Sequence, residues 1–388
     1  MNFPKFVFVG ALVACTFTLP GAAASAAVDE KPAQTQKKKL IEFGWDEPDA
    51  GFLRKHADAM ERNAPFDGCV FHAAWSRAEG SSAPGKASGN FTWECWSARA
   101  FTHAELAQSL ADLKAAPLKR MRHNFLRFNV TPGDVDWFDD SAFGAVVNNA
   151  RLAAKLAHDG GACDGVLFDI EQYDKKLFRY PAQKLAADKS WDDYAARVRQ
   201  RGGQVMAAFQ EGYPDLVVML TFAYSLPHAQ AGGEKAKLAK VDYGLLAPLL
   251  DGMVEAAAGK SKIVDGFELS YGYRDPAQFE RAYETMRTGV LPLVDSDHGK
   301  FRQVMSFGFG LWLDYDWRKK GWDEKDASRN YFTPEGFRHS AGAALQKADD
   351  YVWVYTETPR WWTEPDGLPA KLPEAYRQAL QTLPGTTR

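Results

Sequence analysis

From residue 40 onward the chain alternates short apolar runs with stretches whose apolar residues recur every three to four positions. The runs predict strands at 40–44, 69–73, 124–130, 166–170, 216–222, 264–269, 304–312 and 351–355. The three-to-four spacing predicts helices at 52–62, 103–113, 143–158, 191–211, 276–286 and 334–348. The segment 249–256 could pass for a ninth strand. Leu245, Leu246, Leu249, Leu250, Met253 and Val254, however, fall on one helical face, which leaves eight strands. Eight strand-then-helix units predict an α/β fold, a single (β/α)8 TIM barrel with elaborated βα loops, whose site lies beyond the C-terminal ends of the strands.

The two-residue period of a strand then sorts side chains into those facing the helices and those facing the barrel axis. In the seventh strand Phe307, Phe309, Leu311 and Leu313 oppose Ser306, Gly308, Gly310, Trp312 and Asp314. In the sixth, Phe267 and Leu269 oppose Gly266, Glu268 and Ser270; in the eighth, Val352 and Val354 oppose Trp353, Tyr355 and Glu357. The predicted inward set places Glu268, Asp314 and Glu357 at one rim. Gly308 and Gly310 read as places where a strand makes room for a neighbouring side chain.

The first residues change the picture of the chain's destination. Lys5, an apolar run from Phe6 to Leu19 and the small residues around Ala24-Ser25-Ala26 have the three parts of a secretory signal, predicting export to the periplasm or beyond. Leu12-Val13-Ala14-Cys15 also has the shape of a lipid-attachment box, so an N-terminal lipid anchor at Cys15 is the alternative. The predicted organisation is a signal peptide over 1–26, a polar tether over 27–39 ending in Lys37-Lys38-Lys39, and the barrel domain over 40–388. No later stretch is apolar for the roughly 18 residues that a membrane span requires.

Composition excludes several partners. The chain has 47 basic and 50 acidic residues, and this near balance gives no electrostatic case for nucleic acid. Beyond the signal only Cys69, Cys95 and Cys163 remain, too few for a disulfide framework. The eight histidines show no His-x-His or His-Glu-x-x-His spacing, no nucleotide-binding glycine loop or nucleophile elbow is present, and neither a metal nor an organic cofactor is expected.

The most informative string is Phe168-Asp169-Ile170-Glu171-Gln172-Tyr173 at the end of the fourth strand. Residues two apart share a face, so Leu167, Asp169 and Glu171 are expected to point together to the mouth. Two carboxyls this close disfavour joint ionisation, which can hold a proton on one of them near neutral pH, as a general acid at a glycosidic oxygen requires. A structural acidic pair binding nearby arginines is the other reading of the same spacing.

Asp164-Gly165-Val166-Leu167-Phe168-Asp169-Ile170-Glu171 resembles the fourth-strand signature of chitinase-type glycoside hydrolases. That resemblance implies Glu171 as acid, with Asp169 assisting. Tyr271 after the sixth strand and Trp353 on the eighth match further positions of that family, whereas Leu167 stands where the signature has another Asp. The strings 41–48 and 357–362 resemble those of exported barrel proteins of polysaccharide-degrading bacteria.

Hydrolysis by two carboxylates needs a second acid. Glu268 is the first expectation because Ser270 and Tyr271 stand beside it; Glu357 and Asp314 are further candidates, with Glu42 and Asp46 behind them. A carbohydrate-binding rim is expected from Trp45, Asp46, His72, Arg127, Asn129, Tyr173, Tyr224, Tyr271, Trp312, Asp314, Tyr355, Trp361 and Trp362, because flat aromatic faces cover sugar rings while polar groups bond hydroxyls. Arg127 is expected either to hold Asp169 or Glu171 or to grip an acidic sugar, and His72 to be a mouth group or a core histidine. The sequence thus points to an exported, metal-independent glycosidase acting on an oligo- or polysaccharide. A non-catalytic carbohydrate-binding barrel, or a lyase or transferase on the same scaffold, is the alternative.

Overall fold

The computed structural model describes residues 37–77, 86–363 and 366–383. The predicted signal peptide, Cys15 and most of the tether lie outside the described residues. The tether ends earlier than its polarity suggests. Lys37 pairs with Asp67 at 2.8 Å, Lys38 donates to the Gln346 carbonyl at 2.8 Å, and Lys39 already belongs to the first strand, Lys39–Gly44.

The eight strands form one parallel sheet closed on itself. After the first come Gly68–Phe71, Asn124–Asn129, Cys163–Asp169, Val217–Leu220, Lys262–Asp265, the seventh in two pieces (Met305–Phe307 and Phe309–Trp312), and Tyr351–Thr356. The seventh strand closes the ring: its first piece pairs with the sixth strand and its second with the eighth, which pairs with the first. The interruption falls at Gly308, where a Cβ would lie 2.6 Å from the Tyr351 carbonyl oxygen. This is the (β/α)8 barrel that the alternation predicts.

The alternation also predicts the two layers. Ile41, Phe43, Val70, Phe125, Leu167, Met219, Val264, Tyr351 and Trp353 fill the barrel interior, and Phe307, Phe309, Leu311, Val352 and Val354 belong to the outer core under the helices. A Cβ on Gly310 would sit 2.5 Å from the Trp353 ring, and Trp353 Nε1 donates to the Gly266 carbonyl at 2.8 Å. Only glycine leaves room for that indole.

Helices begin where side chains cap them: Asp49 accepts from Phe52 N at 2.7 Å at the start of Ala50–Asn63, and Ser190 forms a capping box with Asp193 before Trp191–Gly212. The segment Leu246–Ala256 is a helix, as its spacing predicts. The sixth strand is shorter than predicted, ending at Asp265, because Phe267 turns to φ 41° and ψ 62°. Glu268 therefore stands on a single helical turn, Glu268–Ser270, rather than on a strand. An antiparallel hairpin, Ala74–Ser76 with Ser88–Asn90, elaborates the loop after the second strand. No helix among the described residues is long and apolar enough to cross a membrane.

Candidate active site

Asp169 ends the fourth strand, fully buried, with every oxygen contact directed from a named neighbour. Its Oδ2 accepts from Arg127 Nε at 2.9 Å, from Arg127 Nη2 and from Asn129 Nδ2 at 2.8 Å; its Oδ1 accepts from Glu171 N at 3.1 Å. Arg127 and Asn129 reach it because they share the inward phase of the adjoining third strand, where Asn129 pairs with Asp169 in register. The remaining arm of Arg127, Nη1, donates to Glu47 Oε2 at 2.8 Å, and the Trp93 ring covers the guanidinium at 4.7 Å. All three nitrogens are engaged by protein, so the expectation that Arg127 grips an acidic sugar gives way to the alternative reading, a clamp on Asp169.

Glu171 is half-buried beyond the strand end, and Tyr173 donates its hydroxyl to Oε2. Its carboxyl neighbours that of Glu268, which is 8% exposed. Two neighbouring carboxyls cannot both be charged cheaply, so each disfavours ionisation of the other. Burial, then the charge of Asp169, pushes the Glu171 carboxyl up to about 7. Burial, then the charge of Glu171, raises Glu268 well above the ordinary carboxylate range, with Tyr271 acting in the opposite sense.

The backbone that presents Glu268 is strained. A bulky residue at positive φ costs about 1–3 kcal/mol and persists only where its surroundings impose it. Here Phe267 N donates to Asp265 Oδ1 at 3.1 Å, and the Ser270 hydroxyl lies 2.7 Å from the Phe267 carbonyl and 2.8 Å from that of Gly310. Glu268 N in turn donates to the Thr221 carbonyl at 2.9 Å.

An aromatic wall runs outward from this pair. Tyr271 stacks on Tyr355 with centroids 5.7 Å apart and planes at 21°, and meets Trp353 at 5.4 Å and Trp312 at 5.5 Å. Trp45, 59% exposed, donates Nε1 to the Tyr355 hydroxyl at 2.7 Å, which pins a ring that solvent would otherwise leave mobile. Tyr355 also reaches Glu357 Oε1 at 3.4 Å. Burial, then the charge of Asp314, raises the Glu357 carboxyl. Asp314 itself accepts from Trp312 Nε1 at 2.9 Å and from the backbone of Glu357 and Thr358 at 3.0 and 2.9 Å, so it shapes the loop after the eighth strand. His72 takes the inward phase of the second strand, partly exposed, with Nδ1 3.8 Å from Glu47.

Four expected rim residues, Tyr224, Trp361, Trp362 and Asp46, are placed elsewhere. Tyr224 is buried beneath helices, donating to Asp251 Oδ1 at 2.8 Å and packing on Phe301, because the chain after the fifth strand turns at once into the helix Ser225–Ala231. Trp361 and Trp362 are buried against Phe66 on the outside of the barrel. Asp46 is what holds them there: its Oδ2 accepts from Trp361 N at 2.8 Å and Trp362 N at 3.1 Å. Glu42 alternates outward between Ile41 and Phe43 and is sealed beside Asp46, so neither supplies the second carboxylate. Sequence reasoning missed Glu47 and Trp93. Glu47 adjoins the quoted Trp45-Asp46 string, and Trp93 lies in a conspicuously aromatic loop, which were the available signals.

Among the described residues no three or more His, Cys, Asp or Glu side chains are grouped to hold a metal ion. The chain matches no protein family model and no curated protein. Among solved structures it is similar to a β-mannanase from the blue mussel Mytilus edulis, with 12% identity and a TM-score of 0.42 over 90% of this chain and 92% of that one.

Proposed function

We propose that this chain is an exported glycoside hydrolase in which Glu171 protonates the glycosidic oxygen and Glu268 is the second carboxylate. The observation that carries the reading is the meeting of two carboxyl groups, Glu171 and Glu268, beyond the C-terminal ends of the barrel strands, flanked by an aromatic wall. A general acid must hold its proton at working pH yet give it up readily, and a carboxyl raised to about 7 meets both needs. Asp169, clamped by Arg127 and Asn129, stands beside Glu171, in the assisting position that the chitinase-type resemblance assigns to it.

The substrate is a neutral or amine-bearing glycan rather than an acidic one. Arg127 is occupied, and four carboxyl groups, Glu171, Glu268, Asp314 and Glu357, form no ion pair within 4 Å among the described residues, so a uronate or sulfated sugar would meet an acid-rich mouth whose basic groups already act on those carboxyls. The predicted leader at 1–26 supports export.

The test is a panel of plant, algal and bacterial glycans, following reducing ends together with Trp fluorescence. New reducing ends in the wild type, lost in Glu171→Gln with quenching retained, support the hydrolase. Quenching without new ends, unchanged in Glu171→Gln, would make the protein a binding barrel. For a hydrolase, kcat/KM falls as pH rises through about 7, where Glu171 loses its proton.

A further inference from the structure

We infer that His72 accepts a hydroxyl of the glycan through Nε2, and that Glu47 is the positioning residue that orients its ring; this rests on the carbohydrate reading above and adds a contact to it. The two oxygens of Glu47 are unequally served. Oε2 accepts from Arg127 Nη1 at 2.8 Å, whereas Oε1 is buried with no hydrogen-bond partner among the described residues, on a side chain only 9% exposed. A buried acceptor left unpaired is costly, so this oxygen is built for a donor that closes on it when the mouth is filled. His72 Nδ1 stands 3.8 Å away, too far for a hydrogen bond and near enough for a small turn of the ring to make one.

The backbone sets the two residues side by side. His72 follows the second strand by one residue and shares the inward phase of Val70, which fills the barrel interior. Its N–H donates to the Pro48 carbonyl at 3.0 Å, and it bridges in parallel with Asp49, the residue that caps helix Ala50–Asn63. The loops after the first and second strands are thereby joined, while 27% of the His72 side chain stays open and its Nε2 has no hydrogen-bond partner among the described residues.

A neutral imidazole carries its hydrogen on one nitrogen, and the partner of that nitrogen decides which. Glu47, ion-paired with Arg127, offers Nδ1 only an acceptor. The hydrogen therefore belongs on Nδ1, and Nε2 is left to accept from a sugar hydroxyl. Such bonds are often long in a free site and shorten when ligand fills it. The contact is continuous with the acids of the mouth, since Glu47 holds Arg127 and Arg127 holds Asp169. The competing reading is that Glu47 serves Arg127 alone and His72 is a bystander.

The experiment uses the full mature chain with mannohexaose, cellohexaose, xylohexaose and chitohexaose, following reducing ends for kinetics and Trp fluorescence for binding. For a hexaose that is cleaved, His72→Ala is expected to raise KM about five- to tenfold, the worth of one hydrogen bond, with kcat kept within about twofold. His72→Gln, whose amide oxygen can stand where Nε2 stands, restores KM; His72→Asn, which reaches only as far as Nδ1, does not. An unchanged KM in His72→Ala overturns the inference and leaves hydrolysis standing. Where a hexaose quenches without being cleaved, the hydrolase reading falls and the same ratios are read in Kd. Where none is cleaved and none quenches, both fall. The role of Glu47 is read without any sugar, by heteronuclear NMR of isotopically labelled histidine, with the His72→Gln spectrum identifying the signal. The expected result is hydrogen on Nδ1 in the wild type and on Nε2 in Glu47→Gln, whose amide can donate to Nδ1. The same tautomer in both proteins overturns the positioning role. Should Glu47→Gln not fold, as judged by circular dichroism, the His72 series decides alone.

Discussion

Two carboxyl pairs in this barrel have nearly the same chemistry and opposite surroundings. Glu171 and Glu268 are neighbours at the mouth; Glu42 and Asp46 are neighbours on the outer side of the first strand, beneath Trp361 and Trp362. Burial is the largest cause raising all four carboxyls. A raised carboxyl is therefore a mark of removal from water, and what turns it into an acid for substrate is access. The mouth pair has a half-buried member and an exposed, pinned Trp45 nearby, whereas Glu42 is 0% exposed.

The comparison breaks most visibly in activity. Glu171→Gln is expected to lower kcat/KM by about 10²–10⁴-fold, the usual worth of a general acid, while Glu42→Gln stays within about twofold of wild type. Equal losses in steady-state assays of the two variants would mean that access is not what separates the pairs.

Next in size is the clamp that only the mouth pair possesses. Arg127→Ala leaves Asp169 and Glu47 buried without their partner and is expected to cost about 3–5 kcal/mol in urea unfolding, as for a broken buried ion pair. Arg127→Lys keeps the charge and loses the fork, so it falls between wild type and Ala.

A stability effect common to both pairs follows from proton linkage. Each Glu is harder to ionise folded than unfolded, where its ordinary value is 4.5. Below about pH 4 both states hold the proton and no penalty exists. As pH rises the unfolded chain ionises first and folding stability falls, until the folded group also ionises, near 7 for Glu171 and well above the ordinary range for Glu42. Glutamine removes the penalty, so both Glu42→Gln and Glu171→Gln should gain about 1–3 kcal/mol over wild type at pH 8 and nothing at pH 4, measured by thermal unfolding. Trp45→Ala is the smallest change: KM for long glycans rises about three- to tenfold with kcat kept, and stability moves within about 0.5 kcal/mol.

The sequence carried the barrel because strand alternation is a local signal: Phe307, Phe309 and Leu311 against Ser306, Gly308 and Gly310 read the same way in the pattern and in the layers. It carried Asp169, Arg127 and Asn129 because all three ride on two paired strands whose phase fixes their direction, and Glu171 follows only two residues past the end of one of them. Phase is lost once a strand ends. Tyr224 and Trp361 follow strand ends as Tyr271 does, yet turns absent from any periodicity direct them beneath helices. Glu268 was placed at the mouth for an incomplete reason, since a turn at Phe267 rather than continued strand presents it. Glu47 and Trp93 were missed because their role comes from meeting Arg127 across the loops of the first and second strands, a contact that no spacing within one segment encodes.

Trp353 has a consequence for traffic. Its indole is 1% exposed and wedged against Gly310 and Gly266, with Phe43 and Tyr271 around it, so it plugs the barrel axis at that level. Under the proposed hydrolysis, reactant and product would therefore both pass on the side of the strands' C-terminal ends.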